Sequence, residues 1–116
     1  MDAERACVDY LNSQSVGATA YYEVPSKRPS SFVVVERSGG PTGEGGTSRP
    51  LMDVQCWAET RRGAAVLAEG VVGALSDMPA HVDNVAHVSV SSTYRDYDLD
   101  SGTPRYHVVC EMYCNE

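Results

Sequence analysis

The residues best suited to chemistry lie near the end of the chain, where His107, Cys110 and Cys114 stand at spacings that suggest part of a zinc site. Zinc needs its imidazole and thiolate donors within one coordination sphere, so the element that carries them decides the matter. The segment around them alternates apolar and polar residues and reads as a strand. On a strand, Cys110 and Cys114 stand about 13 Å apart at ~3.3 Å per residue, too far to share one ion, and His107 points to the opposite face. No metal site and no cofactor are expected. Nucleophilic catalysis would need a thiol or hydroxyl beside an imidazole. A pair such as Cys110 with His87 forms only through tertiary contact, and spacing does not demand it. His81 falls in a connection, while His87 and His107 fall on strands. Cys7 and Cys56 sit on apolar faces, where cysteine behaves as a small hydrophobe. The glycine-rich stretch Ser38 to Pro50 lacks the lysine and following helix of a phosphate-cradling loop. The expectation is a protein that is not an enzyme.

The element that dominates the pattern runs from Leu51 to Met78. Met52, Val54 and Cys56 alternate with Asp53, Gln55 and Trp57, the period of a strand. After Trp57 the period changes. Ala64, Leu67, Ala68, Val71, Val72 and Leu75 recur at three- and four-residue steps, the stripe of an amphipathic helix. Thr60 is placed to cap its start, and Pro79 marks its end.

Around this unit the chain reads in order. Ala3, Ala6, Cys7, Tyr10 and Leu11 predict a short helix from Asp2 to about Gln14, with Asp2 and Glu4 at the positive end of its dipole. Thr19 to Val24 and Phe32 to Arg37 read as strands paired in a hairpin. Ser38 to Pro50, with five glycines and two prolines, reads as a flexible loop without regular structure. Val85 to Tyr94 is a strand with Ala86, Val88 and Val90 on one side. Arg95 to Arg105 is a turn-rich acidic connection, and Tyr106, Val108, Cys110, Met112 and Cys114 alternate along a long last strand. The expected fold is α+β: a mostly antiparallel four- to five-stranded sheet with two helices on one face, in the order α-β-β-β-α-β-β. There are no internal repeats.

At 116 residues, one small domain spanning residues 1–116 is expected. The net charge of −7 argues against nucleic-acid recognition, which needs clustered lysine and arginine. No apolar run approaches a membrane span, and no charged-then-apolar signal segment opens the chain. A cytoplasmic setting with reduced thiols is therefore expected. Seven acidic residues from Asp77 onward face only Arg95 and Arg105, a surface suited to a basic partner or to solvent.

Three pieces carry a family resemblance: the strand FVVVERSGG with Pro41 after it, the run RPLMDVQCWA from Arg49 to Ala58, and DSGTPRY from Asp100 to Tyr106. In this order and spacing the chain, from Phe32 onward, resembles the tail terminator proteins of long-tailed, siphovirus-type bacteriophages of actinobacteria. The resemblance implies a structural virion protein that forms a ring, commonly a homohexamer, at the head-proximal end of the tail. The ring caps the tail tube, stops its polymerisation and offers the head-attachment surface. Its implied partners are other copies of itself, the major tail tube protein and the head-tail connector protein, all assembled in the host cytoplasm. A head-to-tail ring needs two different complementary patches on one subunit. The expected contacts are Arg37, Gly39, Gly40, Glu44 and Arg49 around the glycine-rich loop, and Arg95, Asp96, Asp98 and Asp100 in the acidic connection. In this reading Arg37 or Arg49 of one subunit pairs with the acidic turn of its neighbour. The alternatives are another ring component of the head-tail junction, such as a connector or tail completion protein, and a small metal-binding domain.

Overall fold

The computed structural model describes residues 1–41 and 46–115. In chain order the elements are helix α1 (Ala3–Ser13), strands β1 (Ala20–Tyr21), β2 (Ser31–Gly39), β3 (Thr47–Ser48) and β4 (Leu51–Ala58), helix α2 (Arg61–Asp77), a 3-10 turn (Met78–Ala80), and strands β5 (Val85–Tyr97) and β6 (Pro104–Asn115).

The unit from Leu51 to Met78 folds as its periodicity predicts. β4 buries Met52, Val54 and Cys56 completely. Thr60 keeps an extended backbone just before α2, and its Oγ1 accepts a hydrogen bond from Gly63 N at 3.0 Å, satisfying a donor that the first helical turn leaves unpaired. α2 then buries Ala64, Leu67, Ala68, Val71 and Leu75, with Val72 half-buried at the margin of the stripe. Pro79 has no N–H to continue the ladder, and the chain tightens into the 3-10 turn. α1 is capped in the same way, Asp2 Oδ1 accepting from Arg5 N at 3.1 Å. The Tyr10 hydroxyl donates to the Ala74 carbonyl at 2.5 Å and locks α1 to α2. Both helices pack on one core with Val33, Val35, Met52, Val54, Val108, Cys110, Met112 and Cys114 of the sheet.

The sheet is six-stranded and mixed, where four to five mostly antiparallel strands are expected from the pattern. β2, β4, β6 and β5 lie side by side as antiparallel pairs. The extra strand is β3. It pairs with β6 through Ser48 and Cys114, continuing the line of β4 past Pro50, whose carbonyl accepts from Met112 N at 3.0 Å. The loop from Ser38 to Pro50 is thus shorter than expected, since β2 runs to Gly39 and β3 occupies Thr47–Ser48.

The expected first hairpin is not formed. β1 is two residues long and runs parallel to β2, with Ala20 opposite Val33 and Tyr21 opposite Val34. Tyr22 and Val24 are exposed, so their strand propensity finds no face to bury, and propensity alone does not hold a strand. Asn12 completes the outer edge of β1. Its amide donates to the Ala20 carbonyl at 3.1 Å and its Oδ1 accepts from Ala20 N at 2.8 Å, standing in for a neighbouring strand.

β5 departs from strict alternation. Its pairing with β6 shifts register between Val85 and His87 and again between Val90 and Ser92. Each shift adds a residue on one side of the ladder and turns the following side chains over. Val85 and Val88 therefore face the core, whereas Ala86, expected beside Val88, is exposed. β5 also runs on to Tyr97. Asp96 is consequently a strand residue, and the acidic turn reduces to residues 98–103.

Candidate functional site

The sheet face turned away from the helices carries a polar cluster centred on β6. Register sets Gln55 of β4 and Tyr94 of β5 on either side of His107, and Trp57 and Asp96 on either side of Arg105. His107 Nδ1 lies 2.9 and 3.0 Å from the two carboxylate oxygens of Asp53. Its Nε2 lies 3.1 Å from Asp96 Oδ2. Arg105 Nη2 donates to that same oxygen at 2.6 Å. The Tyr94 ring stacks on the imidazole at 4.7 Å with 7° between planes, and the His107 side chain is 8% exposed. β4, β6 and β5 are bound together by one chain of charge-assisted hydrogen bonds, covered at His107 and open to solvent at Asp96.

Next to it lies a second, smaller apolar cluster of Phe32, Val34 and Trp57. Phe32 and Trp57 stack at 5.1 Å. The guanidinium groups of Arg28 and Arg105 sit 5.2 and 4.9 Å from the indole centroid, within cation–π range.

The electrostatics follow from these contacts. The hydrogen bond from Arg105, and after it the one from His107, holds the Asp96 carboxyl below its ordinary pKa. Asp98 is lowered chiefly by the Ser101 hydroxyl. Burial pushes the thiols of Cys56 and Cys110 up to about 12 and that of Cys7 higher still. These thiols are core hydrophobes. Each ring nitrogen of His107 faces a carboxylate, so neither is left to take a proton from a nucleophile. The two carboxylates lie against opposite ends of the ring and cannot converge on one ion. Among the described residues no group of three or more His, Cys, Asp and Glu is placed to hold a metal, and His107 faces away from the core that buries Cys110 and Cys114. The arrangement acts as a clamp.

The residues expected at contacts fall into two separated groups. Arg37 turns back on its own loop, donating from Nε to the Gly39 carbonyl at 3.0 Å and from Nη2 to the Gly40 carbonyl at 3.1 Å. Gly40 has φ +89°, and a Cβ there would collide with the Arg49 carbonyl oxygen, so this crossing of the two chain segments requires glycine. Arg49 lies beside Tyr113, whose phenol is raised by its hydrogen bond to Glu111. Glu44 lies outside the described residues.

The second group sits on the β5–β6 hairpin. The Arg95 guanidinium lies 6.0 Å from the Tyr97 ring centroid, Asp96 belongs to the clamp, Asp98 is 3.9 Å from Arg28 Nη1, and Asp100 is exposed. Pro104 and Tyr113 are nine strand steps apart, on the order of 30 Å, so the two groups occupy opposite ends of β6.

Sequence reasoning did not find the clamp. Asp53 and His107 are 54 positions apart, and their meeting is a consequence of strand register, which alternation alone does not give.

No protein-family description matches the chain, and no curated protein does. Among solved structures, the chain is similar to one from the "virion of native gene transfer agent (GTA) particle". The two share 13% identity and a TM-score of 0.76, over 98% of this chain and 95% of that one. The likeness is one of fold, and it takes in nearly the whole of both chains.

Proposed function

We propose that this chain is a structural virion protein, a ring-forming tail terminator. It caps the tail tube at the head-proximal end, stops tube polymerisation and provides the surface to which the head attaches. The observation that carries the reading is the fold shared end to end with a chain of a phage-like particle. The ordered pieces Phe32 to Pro41, Arg49 to Ala58 and Asp100 to Tyr106, which resemble tail terminators, support it. So does the position of charged and glycine-rich groups at opposite ends of β6, since a head-to-tail ring joins unlike patches. Its partners in this reading are other copies of itself, the major tail tube protein and the head-tail connector protein, and it acts without making or breaking covalent bonds.

The test is electron microscopy of tails assembled with and without the protein. Tubes of uncontrolled length that fail to join heads in its absence are the expected result. Tubes of normal length that still fail to join heads would move the protein to another ring of the same junction, a connector or completion component. Normal tubes joined to heads would end the proposal.

A further inference from the structure

We propose that the outer face of the sheet carries a guanidinium-binding site, filled in the free chain by its own Arg28, and that the strap bearing Arg28 lifts to admit an arginine of a partner protein. The inference goes beyond the ring reading and does not depend on it.

The strap is the segment between β1 and β2, positions 22–30. Among the described residues no backbone hydrogen bond ties it to the fold. Tyr22, Val24 and Lys27 are exposed. Arg28 is the one side chain of the strap that makes a hydrogen bond, ion pair or ring contact. A segment held so sparsely opens at a small fraction of the cost of global unfolding.

The site that receives Arg28 is built from other parts of the chain. Its guanidinium carbon lies 5.2 Å from the Trp57 ring centroid on β4. Arg28 Nη1 donates to the Ser101 hydroxyl at 3.1 Å and lies 3.9 Å from Asp98 Oδ2, both in the β5–β6 turn. That turn is fixed without Arg28. Asp98 Oδ2 accepts from Ser101 N at 3.1 Å, and the Asp98 carbonyl accepts from Gly102 N at 2.7 Å. Phe32 of β2 stacks on the indole at 5.1 Å and holds its plane. The receiving groups are therefore ordered before any ligand arrives, which lowers the entropy lost on binding.

An aromatic face beside a carboxylate and a hydroxyl suits arginine, whose flat cation stacks and donates at its rim, better than the hydrated ammonium of lysine. Next to Arg28 lies a cavity of about 410 Å³ that Phe32 and Thr103 line together with a second carboxylate, Glu59. It gives an incoming side chain a way in, and in a chain of net charge −7 the two carboxylates favour a cation. The indole has another cation near it, Arg105 at 4.9 Å, but Asp96 holds that one. Arg28, 40% exposed against 17% for Arg105, is the one free to leave.

The chain has one lysine, Lys27 in the strap, and one tryptophan, Trp57 under Arg28, so each half of the proposal has its own reporter. Lysyl endopeptidase cuts after Lys27 when the strap opens. Arg28→Ala is expected to speed cutting of the native chain by roughly fivefold to thirtyfold, after division by each variant's rate in urea, the worth of a cation–π contact with an exposed ion pair. The same variant should show stronger quenching of Trp57 fluorescence by acrylamide. N-acetylarginine amide at millimolar concentration should restore the shielding of Trp57 in Arg28→Ala, and N-acetyllysine amide or matched salt should not. Arg28→Lys, read in the same way, takes the place of the alanine variant should that one fail to fold. Cutting and quenching equal to wild type overturn the latch. Faster cutting with no shielding by the arginine amide overturns the site, and equal shielding by both amides overturns its assignment to guanidinium.

Discussion

His107 has a carboxylate against each ring nitrogen and a tyrosine ring stacked on it, so truncating it removes the imidazole partner of the half-buried Asp53, while Asp96 keeps Arg105. His107→Ala is expected to cost about 1–3 kcal/mol, read as a lower midpoint in urea unfolding with an unchanged slope. The pH dependence has a definite sign. The folded-state pKa of Asp96 lies below its unfolded value, so its contribution to stability is present in full above the unfolded pKa of about 4 and is lost as pH falls through the folded value. Comparing wild type with Asp96→Asn from neutral pH down to strongly acidic conditions, the stability gap should be widest near neutrality and close on acidification. A gap independent of pH would mean that the carboxylate contributes nothing through its charge. At this scale the chain was legible where one residue answers to its own neighbours. Thr60 caps α2 as expected, Cys7 and Cys56 are buried as expected, and Asp2, expected only to favour the helix dipole, is the N-cap of α1. Asp53, Asp96 and His107 were not legible as a set, since their chemistry depends on which rung of β4 and of β5 faces which rung of β6.

At the scale of elements, the strand-to-helix unit from Leu51 to Asp77 is the best-determined part of the fold. Two kinds of signal agree there, the change of period and the cap at its junction. Thr60→Ala should cost about 1 kcal/mol, and Leu75→Ala, fully buried beneath α2, about 2–5 kcal/mol, both measurable by thermal or urea unfolding. Gly40→Ala should be felt more than its exposed position suggests. A methyl group there collides with the Arg49 carbonyl, and φ +89° is unfavourable for alanine. The elements that sequence misassigned share a physical cause. The segment around β1 has strand-forming residues but buries only Ala20, with Tyr21 half-buried, β3 is ordered by pairing with β6 across an otherwise structureless composition, and the inward face of β5 is reset by its register shifts. In each case a neighbouring strand supplies information that the local pattern lacks.

At the scale of the whole molecule, all four cysteines are buried, and burial raises the thiols of Cys7, Cys56 and Cys110 far above neutral pH. A thiol reagent at neutral pH should therefore leave the native chain unmodified and label all four positions once it is unfolded. Rapid labelling of the native state would show that the helices lift from the sheet easily. The sheet's margins bear on behaviour at high concentration. On one margin the Asn12 amide already occupies the backbone groups of Ala20. On the other, the two register shifts divide β5 into runs too short and too differently oriented for a straight foreign strand to pair along its length. Stacking of this chain edge upon edge into fibrils is thereby discouraged, and prolonged incubation of concentrated protein should give no amyloid-dye signal. Among the described residues, these margins therefore leave little continuous backbone for a further strand to pair with.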